Sequence, residues 1–343
     1  MPPVCTLTLE RTSLPQVKTS VTAQAGEQAV DEGEQAKSDE YSDVMSQQMG
    51  SALSYRHEKG INFADILDDL MVGSCLQTPE DVDRLADEQR VGSIVNLQED
   101  TDMAFFDLDL SPIRERCMAR GDVAHNRHPI RDFDPFDLRM RLEGAVQLVA
   151  DQVKALEGSG KKVYIHCTAG LGRAPATALA YMYWCRGFSL QDAQETFYAR
   201  RPCCPRIQSI RQATVDLLSE GSKLTPVTIS LSRPFLATTL QIAGLDVGWG
   251  QHIDLEWNSK LHRYETTRSL PPGRYPYKFI MDGRWTYSAD HPTFTEGDHT
   301  NNYVEVAAPS SDPAVVEMRE RLLSENGQLT DSEREKLQAH FRV

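Results

Sequence analysis

The stretch "VYIHCTAGLGRAP", Val163 to Pro175, decides how the rest of the chain is read. Four residues with the character of a buried strand run into Cys167, two glycines follow, and Arg173 opens a segment able to form a helix. Two explanations compete: a phosphate-binding loop around a nucleophilic thiolate, or an ordinary strand-to-helix turn that contains Cys and Arg. Spacing alone does not separate them, because seven cysteines and 26 arginines in 343 residues give about half a Cys-x5-Arg match by chance. Cys5 and Arg11 provide such a match in a Thr-rich segment with neither glycine nor strand. Context favours Cys167. Gly170 and Gly172 tolerate positive φ and let successive backbone N–H groups turn inward into a cradle. A helix starting near Arg173 aims its positive end at that cradle, where a phosphate would sit and where the field favours a thiolate. Arg173 can hold two equatorial phosphate oxygens at once. His166 is expected to orient the loop by hydrogen bonding rather than to act as a base.

A thiolate that attacks phosphorus expels an alkoxide, so an acid must protonate the leaving oxygen. The segment "IRDFDPFD", Ile130 to Asp137, offers Asp132, Asp134 and Asp137 on a loop between a strand and a long helix. Their spacing does not choose among them.

Composition bounds the remaining possibilities. The hydrophobic and charged fractions, 40% and 25%, are those of a soluble globular chain. No run approaches the roughly 18 apolar residues of a membrane span. The net charge of −14 argues against nucleic acid as a partner. The seven cysteines show no C-x-x-C pairing, so neither a metal site nor a disulfide framework is expected.

The grammar of the chain changes four times. Residues 1–37 are Thr-rich and then acidic without periodicity, which predicts disorder or a transit peptide. Residues 38–70 form a short N-terminal segment before the first domain. Across 71–220, short apolar strands alternate with capped helices ("TPEDVDRLADE" from Thr78, "SPIRERCMAR" from Ser111, a long helix over Arg139–Leu156), predicting an α/β domain with a mainly parallel sheet flanked by helices. Residues 221–308 switch to short alternating strands rich in Thr, Tyr and Ile, as in an immunoglobulin-like antiparallel sandwich. Residues 309–343 predict two helices, with Asp312-Pro313 opening the first and Thr330 with Glu333 capping the second, their apolar positions suited to packing on a neighbour. Trp257 and Tyr275 are expected to be packing residues.

The loop "HCTAGLGR", His166 to Arg173, resembles the active-site loop of the dual-specificity protein phosphatases, in the form found in glucan phosphatases such as laforin and the plant phosphoglucan phosphatases. "SYRHEKG", "VGSCLQTPEDVD", "IRDFDPFDLRMRL" and "GLDVGWGQ" extend the likeness to the plant enzymes over roughly residues 38–343. The resemblance implies a loop of Cys167, Thr168, Ala169, Gly170, Leu171, Gly172 and Arg173. It also implies Asp132 as the acid, Phe133 as an aromatic contact to glucan, and Tyr55 within an N-terminal recognition segment. No metal or other cofactor is implied.

Two positions depart from the wider class. Ala174 stands where most members carry Ser or Thr to help the thiolate leave, although the plant glucan enzymes share the alanine. Cys204 stands where relatives tend to have an aromatic residue at the rim. Strand "SIVNL" also lacks the cysteine with which some relatives could bridge to Cys167.

The β-region resembles the family-48 carbohydrate-binding modules, on "GWGQ" with Trp249, "YKFIMDGRW" with Lys278 and Trp285, and "DHTNNY" with His299 and Asn301. An indole stacks on a glucose face while Lys and Asn bond its hydroxyls. The resemblance thus implies a phosphatase acting on phosphorylated α-glucan (starch, amylopectin) in a chloroplast or other plastid, at the granule surface. The alternatives are a phosphoprotein phosphatase tethered to starch and a catalytically weak glucan-binding scaffold.

Overall fold

The computed structural model describes residues 32–50, 52–219, 224–232, 238–296, 299–307 and 312–342. The decoy Cys5 and most of the expected transit segment lie outside these residues. Its end does not: a helix, α1 (Glu32–Met49), begins inside the stretch expected to be disordered. Its polar composition hides the few residues that anchor it, Tyr41, Met45 and Met49, which pack with Tyr55, Phe106 and Leu171.

Five strands build the first sheet: β1 (Phe63–Leu67), β2 (Leu70–Gly73), β3 (Val91–Asn96), β4 (Ala124–Arg127) and β5 (Lys162–His166). Their order is β1-β2-β5-β3-β4, all pairs parallel except β1 with β2. The quoted strand is thus the centre of the sheet, and its alternation explains the two cores. Val163 and Ile165 face α5 (Pro135–Ala155), α6 (Arg173–Trp184) and α8 (Ile207–Leu218); Tyr164 faces α2 (Pro79–Asp87) and α4 (Leu110–Arg120). Two short helices complete this region, α3 (Asp100–Phe105) and α7 (Leu190–Tyr198).

Two helix starts differ from the sequence expectation. Helix α5 begins at Pro135 rather than near Arg139, because Asp134 caps it, accepting from the amides of Phe136 and Asp137. Asp109, not Ser111, caps α4, and Pro112 then sits in the first turn, where amides have no intrahelical partner to lose.

The second region is a sandwich. One sheet holds β6 (Thr225–Leu231), β10 (Arg263–Leu270) and β9 (Glu256–Asn258). The other holds β13 (Thr293–Glu296), β14 (His299–Val306), β11 (Gly273–Met281), β7 (Leu240–Gly244) and β8 (Ile253–Asp254), with β12 (Arg284–Thr286) paired to β11. Every pair is antiparallel. Ile229, Ile242, Leu270, Tyr277 and Phe279 fill the space between the sheets. Trp257 does not: it is half exposed, because β9 is an edge strand among the described residues, and its ring lies beside those of Tyr264 and His262.

Tyr275 is buried as expected, but at the seam between the regions. Its ring packs on Phe136, and its hydroxyl accepts from the guanidinium of Arg139, which also pairs with Asp216 and donates to the Pro272 carbonyl. The tail passes the sandwich and returns to the α/β region as α9 (Pro313–Leu323) and α10 (Asp331–Phe341). Leu322, Leu337 and Phe341 enter its core, Phe341 stacking on Trp184 at 5.6 Å.

Candidate active site

The loop after β5 is shaped from outside. Its carbonyls all have partners away from its centre: His166 with the Leu97 amide, Thr168 with the Cys75 amide, Leu171 with the Cys204 amide. Arg201, buried against the loop, donates through Nη2 to Ala169 (3.1 Å) and through Nε to Gly170 (2.9 Å). The imidazole Nδ1 of His166 donates to the Cys167 carbonyl; burial pushes this histidine down to about 3, so it is neutral and structural, as expected. With the oxygens fixed outward, the amides of Thr168 to Gly172 turn inward, and they donate to no protein acceptor among the described residues. This is a cradle of fixed N–H dipoles around the sulfur of Cys167.

The two glycines serve different ends. Gly170 has φ +68°, and a Cβ there would strike the Gly73 backbone at 2.3 Å. Gly172 is not in the left-handed region. It caps α6 at φ −119°, and what its missing side chain leaves room for is the Met49 methyl from α1, 3.3 Å from an ideal Cβ.

Arg173 opens α6 and bends back over the loop. Nη1 donates to the Ile130 carbonyl and pairs with Asp102, while Nη2 lies 2.7 Å from Asp132 and 3.2 Å from the Thr168 hydroxyl. Burial opposes its charge, but Asp132 and Asp102 outweigh burial and keep the guanidinium protonated. Asp102, Arg201 and Tyr41 went unnoticed in the sequence, since none belongs to a local motif.

The structure separates the three aspartates that spacing could not. Asp134 is the α5 cap and also accepts from Arg131; Asp137 accepts from the Arg131 amide and from Arg141. Both are committed to backbone and neighbours. Asp132 alone faces Arg173, and it accepts from the Tyr41 hydroxyl at 2.7 Å. Burial raises its pKa, against the opposing pull of Arg173. Such a carboxyl can carry a proton to an oxygen leaving the cradle. Phe133, next in the chain, takes φ +56° and turns its ring to within 5.7 Å of Tyr41.

Tyr55, expected at the glucan surface, is 2% exposed. Its hydroxyl bonds His57 Nδ1 and lies 3.5 Å from the Cys75 sulfur, so it props the wall behind Tyr41. Cys204 is at the loop, its amide on Leu171, and Ala174 is fully buried in the first turn of α6.

In the sandwich, register brings together residues far apart in sequence. Tyr277 and Phe279 point inward, so Lys278 points outward; Trp285 lies opposite Ile280 and shares the outer side. Asn302 is fully buried, so Asn301 and His299 on the same strand also face out. Trp249 approaches Trp285 at 6.5 Å between ring centres, and His252 adds a third ring at 5.8 Å. Gly248, beside Trp249, abuts Asp134: an ideal Cβ at 248 would be 3.6 Å from the Asp134 Cβ. The aromatic loop of the sandwich therefore touches the loop that carries Asp132.

A thiol in an amide cradle, an arginine over it and a buried carboxyl beside it define a cysteine-dependent phosphatase of the dual-specificity class. The dual specificity phosphatase catalytic domain family matches residues 79–214, and the glycogen recognition site of AMP-activated protein kinase matches residues 226–312. Among curated relatives, the phosphoglucan phosphatase DSP4, amyloplastic, of Castanea sativa is 42% identical over 306 residues, covering 89% of this chain and 80% of that protein. The phosphoglucan phosphatase LSF1, chloroplastic, of Arabidopsis thaliana is 29% identical over 84% of this chain and half of its own length. Laforin of Mus musculus is 26% identical over 42% of this chain and 45% of its own. The chain belongs to the phosphoglucan phosphatase family.

Proposed function

We propose that this protein hydrolyses phosphate monoesters on starch-like α-glucan through a phosphocysteine intermediate. The phosphoryl group enters the cradle, where loop amides and Arg173 hold its oxygens. Cys167 sulfur forms a bond to phosphorus as the bond to the glucosyl oxygen breaks, and the Asp132 proton passes to that oxygen. In the second half, the Asp132 carboxylate takes a proton from water as the water displaces Cys167 and releases phosphate. Ala174 offers no hydroxyl to assist the departing sulfur in this second step. Trp249, Lys278, Trp285, His299 and Asn301 hold the glucan chain, with Phe133 contacting it near the loop, and His252 joins them. We further divide the chain at the seam of Arg139 and Tyr275, with residues 71–220 as the catalytic domain and 221–308 as the glucan-binding module. We place the protein at starch in a plastid; the amyloplastic and chloroplastic designations of the relatives support the plastid part of that reading.

The observation that carries this function is the cradle of unengaged amides at Cys167 in a chain where Gly248, next to Trp249 of the outward aromatic pair, sits beside Asp134 of the Asp132 loop. Phosphate release from phosphorylated amylopectin, compared with release from a phosphopeptide, tests it. Preference for amylopectin is expected. Preference for the peptide would make this a phosphoprotein phosphatase parked on starch, and release from neither would make it a binding scaffold.

A further inference from the structure

Helix α1 lies across the mouth of the cradle. Ser38 accepts from the His57 amide and donates to Glu58, the Gln48 carbonyl accepts from Arg206, and the Met49 methyl rests over Gly172. The helix therefore sets Tyr41 in a fixed place, its ring wedged among Tyr55, Phe105, Phe106 and Phe133 with centres 5.7 to 6.5 Å away. The one polar atom of that ring points at Asp132.

Asp132 has two competing holders. Its Oδ2 lies 2.7 Å from both the Tyr41 hydroxyl and Arg173 Nη2. A phosphoryl group in the cradle needs the guanidinium edge that Asp132 and Asp102 now occupy, and a phosphate dianion cannot share it with two carboxylates at close range. Binding must open the Asp132–Arg173 pair. What then keeps the carboxyl beside the leaving oxygen is Tyr41, together with the adjacent Phe133 amide on Oδ1 at 3.0 Å.

We propose that Tyr41 is the positioning residue of the acid, holding Asp132 when phosphate claims Arg173. This inference rests on Asp132 being the proton donor. As the proton moves from Asp132 to the glucosyl oxygen, the carboxyl becomes a carboxylate, and the hydrogen bond donated by Tyr41 becomes charge-assisted and stronger. It thus stabilises the transition state more than the bound ground state and acts on kcat. Tyr41 itself keeps its proton, since burial pushes its pKa well above the ordinary range and Asp132 adds to that effect.

Tyr41→Phe keeps the aromatic packing and removes only the hydroxyl. On phosphorylated amylopectin it is expected to lower kcat roughly 10- to 100-fold, the range of a hydrogen bond to a charged group, with KM little changed. With p-nitrophenyl phosphate, whose leaving group departs without a proton, the loss should be severalfold smaller. The charged and titratable groups around Asp132 are Arg173, Asp102, Arg206 and Tyr41 itself. The Tyr41 hydrogen bond is the one removed, and it favours the carboxylate, so the alkaline limb of the Tyr41→Phe profile should move to higher pH. The deciding measurement is a cycle with Asp132→Asn. If Tyr41 acts through Asp132, adding Tyr41→Phe to Asp132→Asn costs nothing further. Losses that multiply, or equal losses on both substrates, would overturn the positioning role while leaving Asp132 as the acid. Full activity of Asp132→Asn would overturn both.

Discussion

The loop around Cys167 and the outer face around Trp285 handle their polar groups in opposite ways. In the loop each carbonyl from His166 to Leu171 is tied to a partner, that of Cys167 to the His166 imidazole and the others to groups outside the loop, and Cys167, Thr168 and Arg173 are all nearly or fully buried. On the face, Trp285 is half exposed and His299 lies open to solvent, and strand register alone puts them beside Asn301 and Lys278. The difference follows from what each must recognise. A transition state at phosphorus is stabilised by dipoles that are already aimed and need no rearrangement. A glucan chain offers many equivalent hydroxyls and flat apolar faces, so a broad platform suffices. Damage to the first region should therefore act on turnover, and damage to the second on binding.

The largest effect is expected from Cys167→Ser, which should abolish phosphate release while leaving binding to amylopectin intact, because a serine hydroxyl is hardly ionised in a site built for a thiolate. A binding loss in a co-sedimentation assay would mean that the loop also shapes the glucan surface. Next, Asp132→Asn should lower kcat by about 10²–10⁴, as for a lost general acid. Burial keeps Asp132 protonated above the ordinary carboxylate range, so wild-type activity should fall as pH rises through that raised pKa; the Asn variant should lack this limb.

Smaller still, replacing both Trp249 and Trp285 by Ala should weaken amylopectin binding by more than about tenfold, each stacked ring contributing on the order of 1 kcal/mol. Turnover of p-nitrophenyl phosphate should barely change. Equal losses on both substrates, or a lowered melting temperature, would erase the division between the two regions. The smallest effect belongs to Asp134→Ala. It removes the α5 cap and should cost about 1 kcal/mol in a denaturant melt, with only a modest change in kcat. A loss as large as that of Asp132→Asn would transfer the acid role to Asp134 and break the geometric argument.

The contrast also accounts for which residues could be read without coordinates. Cys167, Gly170 and Arg173 are legible because a cradle needs its parts within one strand–loop–helix segment. Arg201, which shapes that cradle, is not, since it arrives from beyond α7 with no spacing rule to mark it. Gly172 was legible as a small residue but for the wrong reason, since it is not at positive φ and the space its missing side chain leaves is taken by the Met49 methyl.

The sequence by itself determined the order of the two regions, the central strand at Val163–His166, the loop, and the alternation that puts Lys278 and Asn301 on one side of their strands. These depend on local periodicity and on groups a few residues apart. Tertiary structure decided everything that required a choice between equivalent residues. Three aspartates within six positions look alike in sequence, yet two are spent on a helix cap and its neighbours, and only Asp132 meets Arg173. Tyr41 and Tyr55 both sit in a polar N-terminal stretch, but one reaches the acid and the other is buried behind it. Trp257 was expected as a packing residue and is half exposed, because an edge strand is defined by the neighbour it lacks. Periodicity fixes which way a side chain points along its own segment; only the packing of distant segments fixes what it meets.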